Sequence, residues 1–209
     1  MSIIEPNSVI LFQGDSITDC GRDYRQPNSL GTGYPLIIAS LYPALYPNHN
    51  LKFINRGISG NRTKDLLARW EEDCLKLQPD VISILIGIND VWRRYDQNDP
   101  TSLEQFTDNY RRLLSMTREN TSAKLIIMEP FVLHVPEDRT TWREDLDPKR
   151  TAVKELAEEF QAIFIPLDSI FHDATKSQPA AYWCPDGVHP APSGHGLIAK
   201  VWLETIKAL

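Results

Sequence analysis

Five short apolar runs, separated by longer stretches of helical periodicity, constrain this fold more than any other feature of the chain. Residues 9–12 are Val-Ile-Leu-Phe without a polar break, and the run ends at Gly14. Such a run suits a strand covered on both faces, because a half-exposed strand would alternate apolar with polar residues. Residues 51–54, 81–86, 125–128 and 163–166 repeat the signature. Between them, residues 63–77 set Leu66, Leu67, Trp70, Cys74 and Leu77 along one helical stripe. Residues 103–117 do the same with Phe106, Tyr110, Leu113, Leu114 and Thr117, and Thr101-Ser102-Leu103-Glu104 reads as a capping box opening that helix. A third helix is expected to start at Asp147-Pro148 and carry Ala152, Val153, Leu156, Ala157 and Phe160. A fourth is expected over residues 193–208, through Leu197, Ile198, Val201, Trp202 and Ile206.

Strands alternating with helices imply parallel pairing through right-handed crossovers. The expected architecture is therefore α/β: a three-layer, flavodoxin-like fold with about five parallel strands and helices on both faces. No repeat, low-complexity tract or linker divides the 209 residues, so residues 1–209 are expected to form one catalytic domain. Long loops are predicted over residues 13–32, 87–100, 130–147 and 175–192. The first three leave the carboxyl ends of strands, the rim on which open α/β sheets bind ligands.

The formal net charge of −6 argues against a nucleic-acid or anionic-membrane partner. No apolar run approaches the roughly 18 residues of a membrane span. Residues 1–8 show no basic segment followed by an apolar stretch, so no signal peptide is expected. Three widely spaced cysteines, Cys20, Cys74 and Cys184, make an unpromising disulfide framework, and a cytoplasmic location is expected.

Four short blocks carry chemistry. Gly14-Asp15-Ser16-Ile17 follows the first apolar run, Gly57-Ile58-Ser59-Gly60-Asn61 the second, and Gly87-Ile88-Asn89-Asp90 the third. Asp186-Gly187-Val188-His189-Pro190 precedes the last helix. A serine hydroxyl becomes a nucleophile only when a base takes its proton, and His189 is the candidate base for Ser16. Asp186, three residues before it, can accept from the Nδ1–H and fix the tautomer. Pro190 biases His189 toward an extended backbone and keeps it on a loop. Developing charge on an ester carbonyl needs donors aimed in advance. The Ser16 N–H, the Gly60 N–H and the Asn89 amide can supply them.

Each block has a plainer reading when taken alone. Ser16 could cap a turn, Gly57 and Gly60 are good turn glycines, Asn89-Asp90 could cap a loop, and Pro-Asp-Gly could be a surface turn with an incidental histidine. Thr18 breaks the Gly-x-Ser-x-Gly pattern, so the nucleophile elbow of the α/β-hydrolases is not indicated. Asp186, His189 and His195 could instead bind a metal. No further carboxylate or cysteine cluster has ligand spacing, so no metal and no cofactor are expected. His195 is placed at the start of the last helix, and Asp15 and Asp90 are expected to brace loops by accepting backbone N–H bonds.

Trp92, Trp183, Tyr182 and Phe131 fall on the predicted rim loops. Aromatic faces suit the apolar C–H faces of sugar rings, whose hydroxyls seek polar donors. Trp92, Trp183 and Arg93 are the substrate-binding candidates, with Arg22, Arg56 and Arg94 as further donors. The alternative is that the aromatics only fill space between loops and sheet, which is the reading taken for Tyr182 and Phe131. Trp70 and Trp202 lie on helical stripes and are assigned to the core.

The four blocks, with Gly-Asp-Ser-Ile-Thr-Asp-Cys-Gly-Arg at 14–22, Ala-Arg-Trp-Glu-Glu-Asp at 68–73 and Ile-Gly-Ile-Asn-Asp-Val-Trp-Arg at 86–93, resemble the SGNH hydrolases, or GDSL-type esterases. Within that superfamily the chain is most similar to the intracellular acetyl xylan esterases. The resemblance implies Ser16 as nucleophile, Asp186 and His189 as its partners, and Ser16, Gly60 and Asn89 as the oxyanion hole. It also implies acetyl release from xylo-oligosaccharides without a cofactor, and assembly into homo-oligomers. Ile17 and Ile88 depart from the leucine and threonine more usual in the family. A thioesterase or lysophospholipase on the same scaffold is the alternative. It would need a long apolar groove, against which the charged residues 93–99 stand. A carbohydrate-binding protein with a dead site is the rival from another class.

Overall fold

The computed structural model describes residues 2–209. Five strands form where the apolar runs stand: β1 (Val9–Gly14), β2 (Lys52–Asn55), β3 (Val81–Leu85), β4 (Lys124–Met128) and β5 (Ile163–Ile165). All pair in parallel, in the order β2-β1-β3-β4-β5. The connecting helices are α1 (Ser16–Asp19), α2 (Tyr34–Leu45), α3 (Thr63–Ala68), α4 (Trp70–Asp73) and α5 (Ile88–Asp96), followed by α6 (Leu103–Asn120), α7 (Arg143–Glu159), α8 (Leu167–Ala174), α9 (Ala180–Trp183) and α10 (Pro192–Thr205).

The two-residue period of the strands divides their side chains between two cores. Ile10 and Phe12, Val81 and Leu85, and Ile126 and Met128 meet Ile38 and Tyr42 of α2 and Ile198 and Trp202 of α10. The alternate residues Leu11, Ile82, Ile84, Leu125 and Ile127 meet Leu66, Trp70, Phe106, Leu113, Val153 and Leu156 on α3, α4, α6 and α7. Trp70 and Trp202 are both buried in these cores as expected, and each indole N–H has a partner. Trp70 Nε1 donates to Thr117 Oγ1 and Trp202 Nε1 to Ser83 Oγ, both at 3.0 Å.

Several helix boundaries differ from the periodicity reading. The single helix expected over 63–77 is split at Arg69, whose backbone (φ −111°, ψ 6°) leaves helical geometry. Its guanidinium is drawn to Asn61 Oδ1 (2.8 Å), Gln13 Oε1 (3.0 Å) and the Gly14 carbonyl (3.3 Å). The capping box at α6 lies one residue later than expected. Ser102 Oγ accepts from the Gln105 N–H at 3.1 Å, and the Gln105 side chain accepts from the Ser102 N–H at 3.2 Å.

Helix α7 starts at Arg143 rather than at Asp147-Pro148 and takes Pro148 into its interior. Arg143 is anchored there by Asp168 Oδ2 and the Val132 carbonyl, both at 2.8 Å. Residues 87–100 are not a loop throughout, because α5 occupies most of them with Ile88 and Val91 buried. Helices α2 and α8 were not anticipated; Pro35 and Pro43 disguise the first. Helix α10 ends at Thr205, three residues short of the expected end.

From β1 the chain passes to β2 on one side, then returns to β3 on the other. The loops after β1, β2 and β3 therefore diverge around one switch point, at the carboxyl end of the sheet. Ser83→Ala should leave the Trp202 indole N–H buried without an acceptor and cost about 1–3 kcal/mol in urea denaturation. In a Trp202→Phe background the same change should cost less, since neither polar group then remains.

Candidate active site

At the end of β1, a Cβ on Gly14 would lie 2.3 Å from the Leu85 carbonyl oxygen, so only glycine allows this close approach to β3. Asp15 then caps α1, its Oδ1 accepting from the Ile17 N–H at 3.0 Å, and Ser16 is the first residue of that helix. Ser16 Oγ stands 3.0 Å from His189 Nε2, across 173 positions of sequence. His189 Nδ1 is 2.7 Å from Asp186 Oδ2. A carboxylate can only accept, so Nδ1 carries the proton and the Nε2 lone pair faces the Ser16 hydroxyl. Asp186 Oδ1 accepts from the His189 N–H (2.7 Å) and the Val188 N–H (3.0 Å), which holds the carboxylate in line with the ring.

The candidate donors Gly60 and Asn89 lie on the other two segments that leave the sheet's carboxyl end. The Ile58 N–H bonds the Gly14 carbonyl at 3.1 Å, tying residues 57–61 to the end of β1. Gly60 adopts φ +83°, and no heavy atom lies within 4 Å of where its Cβ would stand. Its glycine is required by the left-handed backbone rather than by crowding. Asn89 is buried in the first turn of α5, with Nδ2 donating to the Asn61 carbonyl at 3.1 Å. Asp90 accepts from the Thr63 N–H (3.0 Å) and hydroxyl (2.8 Å), bracing α3 against α5. Asp15 and Asp90 thus brace backbone as expected. Asp19, which sequence reasoning passed over, holds Ser59 by its N–H (3.1 Å) and hydroxyl (2.6 Å).

The substrate-binding candidates part company. The Trp92 ring lies 5.6 Å from the His189 ring, with the guanidinium groups of Arg93 and Arg139 at 5.6 and 5.3 Å from its centre. Arg93 is turned to Asn89 Oδ1 (3.3 Å) and pairs with Asp96, instead of standing free as a sugar donor. Trp183 donates from Nε1 to the Ala174 carbonyl at 3.2 Å and packs partly against the core. Phe131 is buried on Phe171 at 4.3 Å between ring centres, while Tyr182 is half exposed.

Arg22 donates to the Gly57 carbonyl (3.0 Å), Arg56 to the Pro27 (3.2 Å) and Asn55 (3.1 Å) carbonyls, and Arg94 to Glu144 (2.7 Å). These arginines serve the scaffold. Arg139 and Trp142 were missed in the sequence. Arg139 lies 4.1 Å over the buried Trp142 ring, and its Nε reaches the Asp186 carbonyl at 3.4 Å.

Residues 12–197 match the model of the GDSL-like lipase/acylhydrolase family. The chain belongs to that family. It is 38% identical over 204 residues to an acetylxylan esterase from Geobacillus stearothermophilus, covering 94% of this chain and 93% of the relative. The crystal structure of a GDSL-like lipase from Parabacteroides merdae superposes with a TM-score of 0.94 at 40% identity, covering 99% of this chain and 98% of the other. Axe2, an acetylxylan esterase from G. stearothermophilus, superposes at 0.90 with 37% identity, covering 99% and 96%.

In this GDSL-like chain the electrostatics of the rim follow from burial and hydrogen bonding. Burial pushes the Asp186 carboxyl up, but the bonds from the His189 ring and from the His189 and Val188 N–H groups outweigh it and hold the group at about 2. The same Asp186 bond raises His189 above its ordinary 6.5, against burial. Burial pushes His195 down to about 4, so it is a neutral imidazole. Its Nδ1 accepts from the Tyr34 N–H (3.2 Å) and its Nε2 faces Cys20 Sγ (3.3 Å), so both nitrogens are occupied within α10's packing. Among the described residues no group of three His, Cys, Asp or Glu side chains is disposed to hold a metal ion. Burial also raises Asp15, to about 7, and its Oδ2 has no hydrogen-bond partner.

Two outcomes follow. Nε2 can take a proton only when the ring is neutral, so ester hydrolysis should rise with pH along a limb above 6.5. Asp186→Asn should move that limb to lower pH and reduce kcat on the order of 10⁴-fold, read from a kcat/KM–pH profile. For Asp15, the folded-state value is raised, so its contribution is present below 3.8 and lost as pH climbs through about 7. Asp15→Asn should therefore gain stability over the unsubstituted protein in urea titrations at pH 8, and less so at pH 4.5.

Proposed function

We propose that the chain is a serine carboxylic ester hydrolase that removes acetyl groups from short acetylated xylo-oligosaccharides. The observation that carries this reading is the Ser16–His189–Asp186 line, at 3.0 and 2.7 Å. Ser16 Oγ attacks the ester carbonyl while its proton passes to His189 Nε2. The Asp186 carboxylate holds the imidazolium that results. The tetrahedral oxyanion receives bonds from the Ser16 N–H, the Gly60 N–H and the Asn89 amide. His189 returns its proton to the departing sugar oxygen, leaving acetyl-Ser16. A water then gives its proton to His189, attacks the acyl carbon, and releases acetate with Ser16 restored.

The substrate assignment draws on the activity of the acetylxylan esterase relative and on Trp92, whose ring beside His189 suits the apolar face of a sugar. The outer side of α5 carries Arg93, Arg94 and Asp96, which does not suit the acyl chain of a lysophospholipid or long-chain thioester. No helix of the described residues is long and apolar enough to cross a membrane. The cytoplasm is part of the same proposal, supported by three free cysteines, of which Cys74 and Cys184 are buried. Assembly of copies is another part, supported by the exposed Leu36, Leu41 and Leu45 of α2.

Acetate release from acetylated xylo-oligosaccharides, followed by mass spectrometry beside peracetylated glucose and acetylated pectin fragments, tests the substrate. Ser16→Ala should lower that rate by at least about 10⁴-fold and abolish fluorophosphonate labelling. Among p-nitrophenyl esters, acetate should turn over faster than octanoate and palmitate. A rate that climbs with chain length would remove the acetyl assignment.

A further inference from the structure

We infer that Arg93 is a positioning residue for the oxyanion site, deciding which end of the Asn89 amide faces the reacting carbonyl; this rests on the oxyanion reading of Asn89 proposed above. The two ends of an asparagine side chain are nearly equal in size, so hydrogen bonding alone selects between its orientations. Here two contacts select the same one. Arg93 Nη2 donates to Oδ1 at 3.3 Å, and the Asn61 carbonyl accepts from Nδ2 at 3.1 Å.

A flipped amide would set oxygen against the Asn61 carbonyl oxygen and N–H against the guanidinium. Both contacts would be repulsive, and Asn89 is 2% exposed, so water cannot relieve them. The observed orientation leaves the second Nδ2 hydrogen for the oxyanion. Arg93 sits one turn after Asn89 on α5. It is held in turn by its ion pair with Asp96 and by the face of Trp92, 5.6 Å from the guanidinium carbon. Both Nη atoms are thereby engaged. A lysine would keep the charge but lacks the fork that reaches two acceptors at once.

p-Nitrophenyl acetate carries no sugar, so a role in sugar binding is invisible to it while a role in the oxyanion site is not. With this substrate Asn89→Ala should lower kcat by about 10²–10³-fold. Arg93→Ala should lower kcat by roughly 10–10²-fold with KM held within about twofold, and should leave the pH limb in place. Arg93→Lys should recover part of the loss. In the Asn89→Ala background, Arg93→Ala should cost nothing more, because the amide it orients is gone.

Losses that multiply in the double variant would overturn the positioning role while leaving the oxyanion reading intact. So would an unchanged kcat on p-nitrophenyl acetate with a raised KM on acetylated xylo-oligosaccharide. An Asn89→Ala enzyme with unchanged kcat would remove the oxyanion reading, and this inference with it. Thermal unfolding of each variant separates lost geometry from lost fold, and Arg93→Lys carries the test if the alanine variant does not fold.

Discussion

The whole rim depends on how closely the backbone of β1 can lie against β3 at Gly14. With the Leu85 carbonyl oxygen 2.3 Å from where a Cβ would stand, the chain turns into α1 at once, and Ser16 emerges directly above the sheet. The strand order then acts on its own. Because β2 and β3 flank β1, the loops that follow all three strands leave the same end of the sheet side by side. Residues 57–61 and the first turn of α5 come to the end of β1 by topology, through Ile58 on the Gly14 carbonyl and Asn89 on the Asn61 carbonyl. His189 is the one participant that must arrive from elsewhere. Its loop is fastened to the segment after β4, where the Leu133 N–H meets the Gly187 carbonyl at 2.8 Å.

What fastens these loops to one another is chiefly buried carboxylate rather than apolar contact. Asp19 takes Ser59, Asp90 takes Thr63, and Asp168 takes the Arg143 guanidinium at 2.8 Å. Loops carry polar backbone that apolar side chains cannot satisfy, whereas one carboxylate accepts several N–H groups at once. The cost is desolvation, visible in Asp90, which burial raises to about 6. Burial likewise raises Asp15 and Glu129, both at the carboxyl end of the sheet, while the two cores beneath are filled mainly by apolar packing.

The strands were legible because short, mainly apolar runs bounded by turn residues have few alternatives, and three of the four blocks lie just past one. Ser16, Asp186 and His189 could be grouped from sequence because a hydroxyl, an imidazole and a carboxylate suggest one chemistry whatever the intervening path, and their side chains do meet. Helix α5 was not legible, since Gly87 and the charged residues 93–99 read as loop even though Ile88, Val91, Trp92 and Tyr95 share one face. Arginine assignments fared worst. Arg22, Arg56 and Arg94 have the reach to find backbone or acidic partners that sequence distance does not reveal. Arg139 and Trp142 escaped notice for the converse reason, because only the folded path of residues 137–143 brings them beside Trp92 and Asp186.

Three carboxylates on one rim illustrate how surroundings assign roles that composition cannot. Asp186, with bonds from a ring N–H and two backbone N–H groups, is held at about 2 and is charged at neutral pH. Asp15 has one such bond and an unpartnered oxygen, and burial lifts it to about 7. Asp90, with two bonds from Thr63, falls between them. Below about pH 7, Asp15 therefore carries less than its full negative charge while Asp186 carries all of it. On the reading proposed for Ser16, an imidazolium formed at His189 keeps the full counter-charge of Asp186, 2.7 Å from its Nδ1. Were Asp15 as well supplied with N–H donors as Asp186, it too would ionise at the low end of the pH range, and the same rim would hold two carboxylates of like behaviour.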